Sequence, residues 1–173
     1  MGFTDPTTNI KELYIKENHI IADLGAGTGF YTREAARRVP NGKVYAFEVQ
    51  KEMLLTLRNL LEREHIKNVE CFWADIELSN GTKIANHIVD DAIVSNVLFQ
   101  IDDKVGFARE VARIVKPGGK VMVIDWSDAG GLGPHPGHVF NKQKALDLFE
   151  GVGFKVDHEF DAGSHHYGII FIK

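Results

Sequence analysis

Residues 20–29 read Ile20-Ile21-Ala22-Asp23-Leu24-Gly25-Ala26-Gly27-Thr28-Gly29. A short apolar run passes into a loop with glycine at every second position. Glycine lacks a Cβ, so the backbone there can turn tightly and lie against a bound molecule. The spacing predicts that a helix begins close to Gly29, and a helix start offers unpaired backbone N–H groups and a partial positive charge. A dinucleotide-binding loop reads G-x-G-x-x-G, but here its third glycine position holds Phe30. The loop is G-x-G-x-G, with the acidic Asp23 ahead of it.

Four further segments stand at the distances that strand–helix–strand units require. Phe30–Val39 reads as a helix with Ala35, Ala36 and Val39 as buried positions, and Pro40-Asn41-Gly42 as a turn. Lys43–Phe47 is a second strand, closed by Glu48 and followed by Val49. An acid about 20 residues beyond the glycines can accept hydrogen bonds from ribose hydroxyls; the plain alternative for Glu48 is a solvated strand end. Lys51–His65 has the period of an amphipathic helix. Asn68–Trp73 is a third strand, read as buried, and carries the only cysteine, Cys71. Ala74-Asp75-Ile76 follows, with Asp75 a binding residue or merely a helix cap. Val89–Ser95 is a fourth strand leading to Asn96-Val97-Leu98-Phe99. Lys116-Pro117-Gly118-Gly119 closes a helix ahead of a fifth strand, Val121–Trp126.

In this order and spacing, Ile20–Trp126 resembles the class I S-adenosylmethionine (SAM)-dependent methyltransferases. The likeness is greatest to the broad group that includes ubiquinone and menaquinone C-methyltransferases. The resemblance, not the composition, implies SAM as cofactor and S-adenosylhomocysteine as product. Carried over by position, it implies a cofactor site formed by Asp23, Gly25, Ala26, Gly27, Thr28, Gly29, Glu48, Val49, Asp75, Ile76, Asn96 and Val97. Asp75 would face the adenine amino group, and Asn96 would lie beside the transferred methyl. Amino-methylating enzymes of nucleic acids and peptides often carry Asn/Asp-Pro-Pro-aromatic at that place; Asn96-Val97-Leu98-Phe99 has no proline.

The element order predicts an α/β fold. Strands alternate with helices five times, which makes a mostly parallel, doubly wound sheet with helices on both faces. Asn141–Gly151 reads as a helix; Phe154–Phe160 and His165–Ile172 read as strands joined by Asp161-Ala162-Gly163-Ser164, too short a link for anything but an antiparallel pair. The resemblance implies seven strands in the order 3-2-1-4-5-7-6, the last one antiparallel. In such sheets ligands bind beyond the C-terminal strand ends, the edge that holds Asp23, Gly25, Gly27, Glu48, Asp75 and Asn96.

That edge also receives the loop after the fifth strand and the turn before the last one. His135, His138, His165 and His166 are thereby expected on the acceptor rim, with Asp125 and Asp128 near them in sequence and Tyr31 and Phe99 as further rim candidates. Neighbouring strand residues point to opposite faces, so only one of His165 and His166 can enter a pocket. Three readings stand for these histidines: bracing of a Gly/Pro-rich loop, acceptor binding or general-base work by His138 and His166, or a metal site. The loose spacing and missing cysteine ligand favour no metal.

With 173 residues, 44% hydrophobic and 25% charged, the chain is expected to be one domain over 1–173, with 1–19 as an N-terminal cap segment. The cover over the pocket is expected from Phe3–Lys16 and the Gly130–His138 loop, leaving the pocket rather open. No apolar run reaches the ~20 residues of a membrane span, and Met1–Pro6 lacks a signal-peptide pattern, which makes the cytoplasm the default location. A net charge of −4 argues against nucleic acid as the main partner; Arg33, Arg37 and Arg38 read as a solvated helix face. The expected function is methyl transfer to an unidentified acceptor, most simply a small molecule, by a monomer or homodimer. The alternatives are a protein or RNA methyltransferase and a SAM-binding protein without turnover. Phe30 and the absence of a second catalytic domain disfavour a nicotinamide-dependent oxidoreductase.

Overall fold

The computed structural model describes residues 4–127 and 133–173. Asp5 caps a one-turn helix α1 (Pro6–Asn9), its carboxylate accepting from Thr7 N–H; a 3₁₀ turn (Ile10–Leu13) follows. The alternation then runs β1 (Ile20–Leu24), α2 (Phe30–Arg38), β2 (Lys43–Glu48), α3 (Lys51–Arg63), β3 (Val69–Trp73), β4 (Val89–Ser95), α4 (Lys104–Ile114) and β5 (Val115–Trp126). A 3₁₀ turn at Pro136–His138, α5 (Lys142–Glu150), β6 (Lys155–Asp161) and β7 (His166–Ile172) complete the described elements.

The seven strands form one sheet in the order β3-β2-β1-β4-β5-β7-β6. β1 pairs in parallel with β2 and β4, β2 with β3 and β4 with β5; β7 is antiparallel to both β5 and β6. Strand parity decides what each face buries. Ala22, Leu24, Ala92, Val94, Val121 and Val123 pack under α4 and α5 through Phe107, Val111, Ala145 and Phe149. Ile21, Val44, Ile93, Met122 and Ile124 pack on the other face under α2 and the N-terminal segment. α3 covers the same face further out, seating Leu54, Leu57 and Leu61 on Ala46.

Four details differ from the sequence reading. The N-terminal segment is more than a cover, because Ile10 and Leu13 are fully buried and belong to the core. β5 begins at Val115 instead of Val121: Val89 pairs with Val115 and Asp91 with Lys120, so Lys116–Gly119 bulges out of the strand. The β3–β4 crossover, residues 74–88, contains turns and no helix. Its anchor is the buried Glu110, whose carboxylate accepts from Asn80 N–H, from the Thr82 N–H and hydroxyl, and from two Arg113 nitrogens at 2.7 and 2.8 Å. Finally, β3 is an edge strand, so it has a neighbour on one side only and Cys71 is half-buried rather than buried. Burial still raises the Cys71 thiol pKa, which disfavours the reactive thiolate.

Candidate cofactor site

A cavity of about 770 Å³ opens over the C-terminal ends of β1, β2 and β4, within the range typical of small-molecule sites, roughly 300–1,000 Å³. Its floor is the glycine loop: Gly25, Ala26, Gly27 and Thr28 all line it. Gly25 (φ +84°) and Gly27 (φ +55°) both adopt left-handed backbone. A Cβ at Gly25 would overlap Val97 Cγ2, whereas a Cβ at Gly27 would meet nothing within 4 Å and project into open space. The first glycine lets the loop after β4 pack in; the second leaves room for a ligand. Gly29 does not line the cavity; it starts α2 and faces α3, where a Cβ would overlap Leu57.

Two carboxylates sit on this floor. Glu48 ends β2 and accepts from Gly27 N–H (2.9 Å) with one oxygen and from Gln50 N–H (2.8 Å) with the other. It is 7% exposed, so it brackets the loop rather than lying as a solvated strand end. Asp23 is 2% exposed and accepts a 2.5 Å hydrogen bond from the Thr32 hydroxyl. Burial and the neighbouring Glu48 charge push its pKa up to about 6, against the opposing pull of Thr32.

The walls come from three loops. Val49 lines the cavity after β2, Asp75 and Ile76 after β3, and Asn96 and Val97 after β4. Asp75 also accepts from Glu77 N–H at 3.1 Å, so the residue both faces the cavity and caps its own turn. Asn96 adopts left-handed backbone, and its buried Oδ1 has no hydrogen-bond partner among the described residues.

The expected rim separates into two groups. Tyr31 does line the cavity; its hydroxyl accepts from Asn9 Nδ2 (3.2 Å), and burial raises its pKa to about 12. The others lie elsewhere. Phe99 is half-buried outside the lining, and Asp125 is fully buried with its carboxylate turned toward backbone N–H groups. His135 and His138 are exposed at the Pro136–His138 turn, with ring centroids 6.1 Å apart. His165 is exposed, and His166 is buried against Trp126 (4.2 Å between ring centroids) with Nδ1 2.8 Å from Ser164 O. None of these four histidines lines the cavity. They do reach the expected sheet edge, since His166 pairs with Trp126 at the end of β5. However, β7 lies three strand positions from β1, about 14 Å at the usual strand spacing. Asp128, Phe3 and part of the Gly130–His138 loop fall outside the described residues. Among the described residues no three His, Cys, Asp or Glu side chains are placed to hold a metal ion.

Sequence reasoning missed part of the lining. Thr4 and Pro6 lie in the Phe3–Lys16 segment expected as cover, whereas Phe30 at the start of α2 and Gln50 and Met53 around the first turn of α3 were not anticipated. Glu77, Ser95, Gln100 and Ile101 complete the lining. Most lie within a few residues of a recognised motif position, so extending each motif by one helical turn would have found them.

This sheet order, with an acid-flanked G-x-G-x-G loop over β1 and a second acid at the end of β2, defines the architecture of class I SAM-dependent methyltransferases. The chain belongs to the methyltransferase domain family, which matches residues 21–119. A ubiquinone/menaquinone biosynthesis C-methyltransferase of Hahella chejuensis is 30% identical over 109 residues, 62% of this chain and 43% of that protein. A demethylmenaquinone methyltransferase of Bacillus mycoides is 27% identical over 137 residues, 78% and 56% of the two chains. The chain thus spans about half the length of these curated relatives. The crystal structure of a SAM-dependent methyltransferase from Aquifex aeolicus superimposes with a TM-score of 0.89 at 26% identity, covering 99% of this chain and 91% of that one. The [4+2]-cyclase SpnF shares the fold alone, with a TM-score of 0.83 at 14% identity over 96% and 80% of the chains.

SAM is the cofactor of this family, and the residues present fit it. The open side of Gly27, the unpartnered Asn96 Oδ1 and the acceptor oxygens of Glu48 and Asp75 suit an adenosine and an amino-acid group. The buried Asp23 carboxylate suits a cation.

Proposed function

We propose that this chain catalyses SAM-dependent methyl transfer to a small acceptor that is neutral or cationic, in the cavity over β1, β2 and β4, with Thr4 and Pro6 of the N-terminal segment as part of its cover. The supporting observation is the cavity lining. Among the described residues it holds four carboxylates, Asp23, Glu48, Asp75 and Glu77, and no Lys, Arg or His. A carboxylate- or phosphate-bearing acceptor would find no counter-charge there, and burying an unpaired charge is costly. The lining also includes Thr4, Pro6, Tyr31, Ser95, Gln100 and Ile101, mixed apolar and neutral polar groups suited to a ring bearing hydroxyls. The relatives named as quinone-pathway C-methyltransferases make a hydroquinone the first acceptor to try.

When bound, SAM supplies an activated methyl on a sulfonium, so the protein's work is positioning and exclusion of water. Glu48 holds the glycine loop and presents its remaining lone pairs to a ribose. Asp23 offers a desolvated negative charge to the cationic end. Asn96 and Val97 form the wall where donor and acceptor meet, and Tyr31, with its high pKa, serves as a hydrogen-bond donor or acceptor rather than a base. His138 and His166 stand outside the cavity, and no proton is routed through them.

The test is calorimetric titration with SAM, S-adenosylhomocysteine and NAD, then a methyl-transfer assay on neutral hydroquinones and amines beside their carboxylated analogues. Micromolar binding of the first two ligands and transfer to uncharged acceptors is the expected result. NAD binding alone would overturn the cofactor, SAM binding without transfer to any acceptor would overturn turnover, and preference for the carboxylated analogues would overturn the acceptor class.

A further inference from the structure

We propose that Asp125 is a positioning residue for this site: its buried carboxylate grips the backbone of residues 97–99 and thereby sets where Asn96 and Val97 meet the cavity. The role at the cavity rests on the cofactor reading above; the grip itself does not.

Asp125 is the penultimate residue of β5, shares strand parity with Val121 and Val123, which pack under α4 and α5, and is fully buried. Oδ2 accepts from Leu98 N–H at 2.9 Å, and Oδ1 from Trp126 N–H at 2.8 Å. The backbone N–H groups of Val97 and Phe99 also face this carboxylate and favour its charged form. The Leu98 N–H is the bonded member of three successive amides on this side of the turn, and Asn96, directly before them, is left-handed at φ +55°. Alternation of hand turns consecutive N–H groups inward and makes an anion-binding concavity. Here the chain fills that concavity with its own carboxylate.

The geometry carries the grip to the site in one residue. Asn96 N–H donates to Ile124 O at 2.8 Å, which continues the β4–β5 ladder past the strand end. Asn96 and Val97 line the cavity, and Val97 is the residue that excludes a side chain at Gly25. A loop free to choose another turn would move the methyl-end wall and the glycine cradle together. Stability alone does not account for the group, since an apolar replacement for a buried charge is often neutral or better.

The titratable side chains beside Asp125 are Tyr167, opposite it on β7 with its hydroxyl committed to Phe140 O, and His166, opposite Trp126. Burial raises the carboxyl to about 6 against the pull of the amides. Protonation therefore falls within an accessible pH range.

The experiment follows the amides of Val97, Leu98 and Phe99 by NMR in the full chain, in wild type and Asp125→Asn, with SAM affinity measured by calorimetry at pH 7.5. In wild type the three amides should shift together with a midpoint near pH 6; in the variant they should not titrate. With the circular dichroism of the native fold retained, the variant should exchange these amides at least about tenfold faster and bind SAM about tenfold more weakly. Unchanged exchange in the folded variant, or SAM affinity within twofold of a wild type that binds, overturns the proposal. A wild type that binds no SAM overturns the cofactor reading instead; faster exchange then still supports the grip and unchanged exchange refutes it. Should Asp125→Asn fail to fold, the wild-type titration decides: three amides moving together support the grip, and flat amides overturn it.

Discussion

Replacing Asp23 by Asn should stabilise the chain while weakening its hold on SAM. The Asp23 carboxyl is 2% exposed, and its pKa is raised from 3.8 to about 6. That is about 2 pKa units, worth about 3 kcal/mol at ~1.36 kcal/mol per unit. The sign follows from proton binding. Between pH 4 and 6 the folded chain holds a proton at Asp23 that the unfolded chain has released, so stability falls as pH rises through this window. Above it the whole penalty is present. Asn resembles the protonated acid and keeps a partner in the Thr32 hydroxyl. At pH 7.5 the variant should gain up to about 3 kcal/mol, or about 6–12 °C in Tm for a chain of this size; at pH 4 the two should coincide. Ligand binding runs the other way. A site with pKa near 6 is about 90% ionised at pH 7 and about 10% at pH 5, so wild-type SAM affinity should fall about tenfold between them. No histidine of the described residues lines the cavity, but Asp125 titrates in the same window, so the share of this slope that belongs to Asp23 is the share lost in Asp23→Asn. Scanning calorimetry and titration calorimetry from pH 4 to 8 supply both curves. Parallel Tm curves for the two proteins, or a wild-type SAM affinity flat from pH 5 to 7, would refute the reasoning.

Gly27→Val should abolish SAM binding and leave the fold intact apart from backbone strain, because the new side chain enters open cavity; Gly25→Ala should instead lower Tm, since its Cβ overlaps Val97. Unchanged SAM affinity in folded Gly27→Val would remove the cofactor assignment. Glu48→Ala should weaken SAM by about 1.5–3 kcal/mol, the value of charged hydrogen bonds, as read by titration. Glu110→Ala should lower stability by about 3 kcal/mol in denaturant unfolding, the lower end for breaking a buried pair. Arg113 and Thr82 hold the Glu110 carboxyl down to about 2 from 4.5, so its contribution is present above pH 4.5 and disappears toward pH 2, and acid unfolding of the variant should be shallower there. His138→Ala should bind SAM as wild type does, while His166→Ala, which removes a buried ring from Trp126, should lose Tm; a large SAM effect in the first would return His138 to the site.

The strand order was legible because two local signals agree: a glycine-punctuated strand–helix start at Leu24–Phe30 and a last pair joined too tightly to be parallel at Asp161–Ser164. The cofactor floor was legible for the same reason, since the motif residues are contiguous in the chain. The acceptor wall was not. Shared membership of a sheet edge placed His166 near the site, but three strand widths separate β7 from β1, and no sequence period reports lateral distance. Asp125 misled differently. Its polarity at a strand end suggested a rim, whereas the carboxylate is fully buried and bonded to the Leu98 N–H of the turn that follows the left-handed Asn96. Such a turn at a non-glycine residue leaves little trace in composition. The β3–β4 crossover escaped because its order comes from one distant side chain, Glu110, rather than from its own pattern.

The chain has two tryptophans, and their settings make it its own optical probe. Trp73 is 61% exposed, with Lys51 4.2 Å from the ring centroid, and borders a shallow hollow whose Val49 and Gln50 also line the cavity. Trp126 is half-buried and packed on His166. A soluble quencher should therefore extinguish the red-shifted emission of Trp73 first, and ligand entering beside Val49 should shield it. Emission from Trp126, which does not line the cavity, should respond little to the ligand. One fluorescence trace, split by wavelength and quencher, would report occupancy of the cavity against an internal reference without a label.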